Sequence, residues 1–114
     1  MIEISLPVPP SLNNCYVNAS GRGRFKSKEY RVWCREAQAY LMDAPKGKVA
    51  IGYNLHIVLP VNMRGDLDNR VKPLSDVLVA SGVLPDDKHA AKITVERGAA
   101  RDGLARLTIT GGAA

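Results

Sequence analysis

Val49-Ala50-Ile51-Gly52-Tyr53-Asn54-Leu55-His56-Ile57-Val58-Leu59-Pro60 is the stretch on which the fold turns. Val49, Ile51, Tyr53, Leu55, Ile57 and Leu59 alternate with Ala50, Gly52, Asn54 and His56, the period of a long strand with unequal faces, and Pro60 closes it. Downstream, Val71, Leu74, Val77 and Leu78 recur on one helical face, and Gly82 supplies the stop. Pro73 lacks an N–H and is tolerated only in a first turn, so this helix should begin near Asn69 or Arg70. Two strands follow. Ile93 and Val95 alternate within the first, around Ala91 to Arg97. Ala105, Leu107 and Ile109 share one side of the second, Leu104 to Thr110, and Arg101-Asp102-Gly103 turns between them.

Upstream, Tyr30, Trp33, Cys34, Ala37, Leu41 and Ala44 form one apolar stripe at steps of three and four. Ser27 caps this helix, which should run to about Asp43 before Pro45 and Gly47 stop it. Residues 11 to 26, rich in Ser, Asn, Gly and cations, read as an exposed basic loop. Before them Ile2, Ile4 and Leu6 alternate as a strand until Pro7, Pro9 and Pro10 forbid further pairing. The expected order is β-α-β-α-β-β: one α+β domain over residues 1–114, a small two-layer mixed sheet of about four strands with two helices.

A chain of 114 residues, 46% hydrophobic, fits one ordinary core and argues against disorder. Sixteen Lys and Arg against eleven Asp and Glu give a net charge of +5, which favours a polyanionic partner. No apolar run approaches the ~20 residues of a membrane helix, and the N-terminus lacks a secretory pattern, so no membrane partner and a cytoplasmic location are expected. Cys15 and Cys34 lack the spacing of a disulfide framework or thiolate zinc site and read as reduced thiols, with Cys34 a small buried residue.

Five of the eleven carboxylates fall between Asp66 and Asp87 of this basic chain. If the segment is extended, Asp66 and Asp68 project to one side and crowd their charges, which a hard divalent cation such as Mg²⁺ would relieve. Asp86 and Asp87, returned by the loop after the helix, could add a third carboxylate, and since neighbours face opposite ways only one should point inward. Lys72, four residues after Asp68, could aim its ammonium at the same pocket and offset charge on a reacting phosphate. Each feature alone has an ordinary structural reading, as a helix-start carboxylate or as an i, i+4 pair; their combination is harder to dismiss.

Other chemistries fit less well. Arg70, Val71 and Val77 stand where an EF-hand needs a ligand, a glycine and a glutamate. Gly21 and Gly23 are not followed by a Walker Gly-Lys-Ser/Thr, so no nucleotide cofactor is expected. His56 and His89 are each isolated, and the aromatics are too few for a base-stacking platform. Arg22, Arg24, Lys26, Lys28, Arg31 and Arg35 make the densest positive stretch, either a solvated face or a phosphate-binding one.

Asp66-Leu67-Asp68-Asn69, then Lys72, Gly82 and Asp86-Asp87, resemble the signature of RusA-type Holliday junction resolvases. Leu6-Pro7-Val8-Pro9-Pro10-Ser11-Leu12-Asn13-Asn14 is similar to that family's opening strand and Pro-Pro-Ser-x-Asn turn. The resemblance implies that Asp66, Asp68 and Asp87 are metal-binding catalytic carboxylates, that Lys72 is the essential lysine, and that Asp87 rather than Asp86 faces the metal. It further implies a Mg²⁺-dependent homodimer, often prophage-encoded, that resolves four-way branched DNA by paired nicks in recombination and repair. Arg22, Arg24, Lys26, Lys28 and Arg70 are the expected DNA-backbone contacts. The competing expectations are a non-catalytic DNA-binding module and a general branched-DNA or flap nuclease.

Overall fold

A computed structural model describes residues 1–19, 21, 23–98 and 102–111. The strands are β1 (Ile2–Leu6), β2 (Tyr16–Ala19), β3 (Gly23–Lys26), β4 (Tyr53–Pro60), β5 (Ala90–Gly98) and β6 (Ala105–Gly111). The helices are α1 (Lys28–Tyr40) and α2 (Val71–Ala80), with short 3-10 turns at Leu12–Asn14, Asp68–Arg70 and Asp87–His89. Four strands form a mixed sheet in the order β1-β6-β4-β5, in which only β4 and β5 are parallel. The described residues form the small α+β fold expected, with one addition: the basic segment is not a plain loop, because β2 and β3 pair as an antiparallel hairpin. Exposed Val17 and Phe25 lie opposite each other there, so no in-out burial pattern marks these strands.

β4 is the axis of the core. Tyr53, Leu55, Ile57 and Leu59 are at most 1% exposed and meet Leu107 and Ile109 of β6 on the same face. α1 covers this face with Tyr30, Trp33 and Ala37, and α2 with Leu74, Val77 and Leu78. The long strand starts later than the alternation suggests. Gly52 at φ +89° turns the chain, its N–H donates to the His89 carbonyl at 2.9 Å, and Ile51 is left exposed.

The Ser27 hydroxyl accepts from the Tyr30 N–H at 3.1 Å and donates to the Asn14 carbonyl at 2.7 Å, capping α1 and tying the hairpin's base to it. α1 ends at Tyr40, short of Asp43, and the Lys46 ammonium takes the Leu41 carbonyl at 2.7 Å. At the end of α2, Gly82 sits at φ +82°, the Val83 N–H reaches the Leu78 carbonyl and the Gly82 N–H that of Val79: a Schellman stop. The α-helix itself begins at Val71, after the 3-10 turn, and places Pro73 in its first turn. Cys15 is fully buried, but Cys34 is only half-buried, because its side of α1 opens onto a groove. Among the described residues no helix is long and apolar enough to cross a membrane.

Candidate active site

The chain leaves β4, crosses through α2 and returns in β5, and this crossover opens a cleft of about 410 Å³ between the first turns of α2 and the helix-side face of β5. Ile93 and Val95 form one wall, Val71, Lys72 and Ser75 the other, and Asp68 and Asp87 complete it. Ile93 remains partly exposed on this edge strand, where it lines the cleft.

Asp86 and Asp87 divide as adjacent residues should. The Asp86 carboxylate caps its 3-10 turn by accepting from the Lys88 N–H at 3.1 Å, and its carbonyl accepts from the buried Tyr53 hydroxyl at 2.9 Å. That leaves Asp87 facing α2, where Lys72 Nζ donates to Asp87 Oδ2 at 2.6 Å. The same ammonium meets Asp76 Oδ1 at 3.0 Å, one turn further along the helix. The hydrogen bonds to Asp87 and then Asp76 push the Lys72 pKa well above its ordinary value. In turn the hydrogen bond from Lys72 holds the Asp87 carboxyl below the usual range. Lys72 thus pairs with Asp76 and Asp87, whereas its i, i−4 neighbour Asp68 is not among its ion-pair partners.

Asp66 and Asp68 are not brought together by an extended segment. Gly65 at φ +93° and Leu67 in the right-handed helical region bend the chain, and Leu67 packs half-buried against the core. Asp68 lines the cleft; Asp66 stays exposed on the preceding loop and does not. Among the described residues no three His, Cys, Asp or Glu side chains gather closely enough to form a ready metal cage. The loop is held by arginines: Arg97 donates to the Met63 carbonyl and, at 2.6 Å, to that of Gly65, and Arg70 donates to that of Arg64 at 3.0 Å.

Arg70 is therefore half-buried and turned toward this loop. Arg24 lies over the Tyr16 ring at 4.0 Å and Lys26 over the Tyr30 ring at 5.4 Å. These contacts carry the hairpin's cations to the site: Arg24 shares a groove with Lys72, and Lys26 shares another with Asp76 and Asp87. Lys28 is exposed at the start of α1, and Arg22 lies outside the described residues. His56 sits on β4 against Thr94 and Glu96, and the His89 backbone closes the turn after Asp86. Asp76, Tyr53 and Arg97 were not singled out by sequence reasoning. The i, i+4 spacing from Lys72 could have found Asp76; Tyr53 and Arg97 act on residues distant in the chain and carry no local signal.

Residues 7–110 match the family described as endodeoxyribonuclease RusA. A curated relative, the crossover junction endodeoxyribonuclease RusA of Aquifex aeolicus (strain VF5), is 35% identical over 86 residues, covering 72% of this chain and 66% of the relative. The chain thus spans about two thirds of the length of that relative. With the expected fold in place and the match running from before the hairpin into β6, the chain belongs to the RusA endodeoxyribonuclease family.

Proposed function

We propose that the protein is a divalent-cation-dependent endonuclease that nicks phosphodiesters at four-way DNA junctions, acting in recombination and repair in the cytoplasm. The observation that carries this reading is the meeting of Asp68, Lys72 and Asp87 in one cleft, bordered by a cationic hairpin. Carboxylate oxygens are hard donors, and Mg²⁺ is commonly held by one or two of them together with water and a substrate phosphate. The Ser75 hydroxyl, buried in the cleft wall and without a hydrogen-bond partner among the described residues, also suits a polar occupant. Asp68 and Asp87 therefore suit Mg²⁺ as its ligands, while Asp66, on the adjoining loop outside the cleft, would join them as a third only when that loop moves toward the ion. When bound, the ion would acidify a water and stabilise the departing oxygen.

The chain's own groups do the rest. Lys72 sits where its ammonium offsets charge growing on the phosphate. Arg24, Lys26 and Lys28, with Arg22, hold the DNA backbone, while Arg70 keeps the Asp66 loop in place. A four-way junction offers two equivalent strands, so a two-fold dimer would present one site to each. The test is Asp68→Asn on a synthetic four-way junction with Mg²⁺: wild type nicks and the variant does not. Unchanged nicking in the variant would remove Asp68 from the chemistry. Cutting a fork as readily as the junction, with plain duplex spared, would favour a general branched-DNA nuclease. Two observations favour a non-catalytic DNA-binding module: Lys72 already pairs with Asp87, and among the described residues no three-carboxylate cage is assembled. Junction binding by the wild type without nicking under any divalent ion would establish that reading instead.

A further inference from the structure

Lys72 has two anchors, and only one of them lies in the cleft. Asp87 lines it beside Asp68; Asp76 does not, and opens instead on the neighbouring groove with Lys26 and Tyr16. The anchors also differ in mounting. Asp76 stands on α2, whose Leu74, Val77 and Leu78 are buried, so its distance from Lys72 is set by the helix itself. Asp87 stands on a short 3-10 turn.

A cation held by Asp68 and Asp87 would compete with the Lys72 ammonium for the Asp87 oxygen now 2.6 Å from it, and would repel that ammonium. A lysine with no second partner would then swing into solvent. We propose that Asp76 is the positioning residue that keeps Lys72 at the mouth of the cleft when a divalent cation takes Asp87. The charges agree with this role: Asp68, Asp76 and Asp87 with Lys72 sum to two negative charges, which one divalent cation neutralises. This inference rests on the endonuclease reading for its purpose, but the exchange of partners can be tested without nicking.

The experiment is a double-mutant cycle of Asp76→Asn and Lys72→Met, with Mn²⁺ as the probe. Mn²⁺ affinity is read from the electron paramagnetic resonance signal of the free ion, and single-turnover nicking is followed on a four-way junction. Without Asp76, Lys72 pairs with Asp87 alone and competes harder with the ion. Asp76→Asn should therefore weaken Mn²⁺ binding roughly tenfold in the wild-type background and far less when Lys72 is Met. Nicking should fall with unchanged junction affinity, and Asp76→Glu should restore both properties. Equal weakening in both backgrounds would make Asp76 a bystander charge, and no weakening in either would also overturn the proposal. A wild type that binds Mn²⁺ without nicking would sink the endonuclease reading, while the affinity cycle still judges Asp76. Asp76 is partly exposed and Asn matches its shape, so circular dichroism should be unchanged; if it is not, the cycle is repeated with Asp76→Ser, and a loss of Mn²⁺ affinity that Lys72→Met abolishes remains the required result.

Discussion

Replacing Arg97 with Met should loosen the loop that carries Asp66 while leaving the body of the protein unchanged. Arg97 reaches from the end of β5 to the carbonyls of Met63 and Gly65, two acceptors on a loop otherwise held by Arg70 and local backbone bonds. A hydrogen bond from a charged donor contributes about 1.5–3 kcal/mol when sheltered; Arg97 is exposed, and water competes for both carbonyls, so about 1 kcal/mol for the pair is the sensible scale. That corresponds to a roughly fivefold rise in the open population of the loop. Two amides report it directly, because the Met63 N–H is bonded to the Pro60 carbonyl at 3.0 Å and the Arg70 N–H to that of Leu67 at 3.1 Å. Hydrogen exchange followed by NMR should speed up about fivefold at these two amides and stay constant at Ser81, whose bond to Val77 closes α2. Arg97→Lys should recover only part of the effect, since an ammonium lacks the planar fork that spans two carbonyls. Unchanged exchange at Met63 and Arg70, or equal acceleration at Ser81, would refute the loop-clamp reasoning.

Ser27→Ala removes both the α1 cap and the tie to Asn14, and should cost about 1 kcal/mol in urea unfolding. Leu74→Ala empties a fully buried position between α2 and the sheet, and should cost about 2–5 kcal/mol by the same measurement, whereas Val32→Ala on the exposed side of α1 should stay within about 0.5 kcal/mol. The Asp87 carboxyl titrates below its unfolded value, so its contribution to stability is present above the ordinary carboxylate range and fades as pH falls through the folded value. As pH falls below the ordinary carboxylate range, thermal melts should therefore show the wild type losing more stability than Lys72→Met, in which that pairing is absent.

Most of the scaffold was legible because burial on one face writes a period into the chain. Ile2-Ile4-Leu6, the α1 stripe, the α2 face and Ala105-Leu107-Ile109 all follow that rule, and each meets the core as expected. The hairpin was not legible, since Val17, Asn18 and Gly23–Lys26 are exposed and impose no such period; what holds it is Ser27 below, Tyr16 against the core, and cation–ring contacts on one side. Val49 and Ile51 continue the alternation of β4, yet Gly52 takes the chain out of the sheet before them. At the site, adjacency alone said that Asp86 and Asp87 would divide, and the family resemblance said which of them turns inward. The geometry of Asp66 and Asp68 could not, because it depends on Leu67 turning inward to reach the core and on arginines from elsewhere gripping the loop.

Ile2 stands opposite Ile109, and along β1 every described strand pairing is with β6. During synthesis on a ribosome, β1 emerges well before β6 and has no ladder to join until β6 has left the exit tunnel. Until then β4 can gather α1, α2 and β5 around itself, but Ile4 and Leu6 wait with an unsatisfied apolar face. A nascent chain stalled before Ala105 therefore exposes sticky edges on both β1 and β4, and would draw on chaperones that the finished sheet does not need.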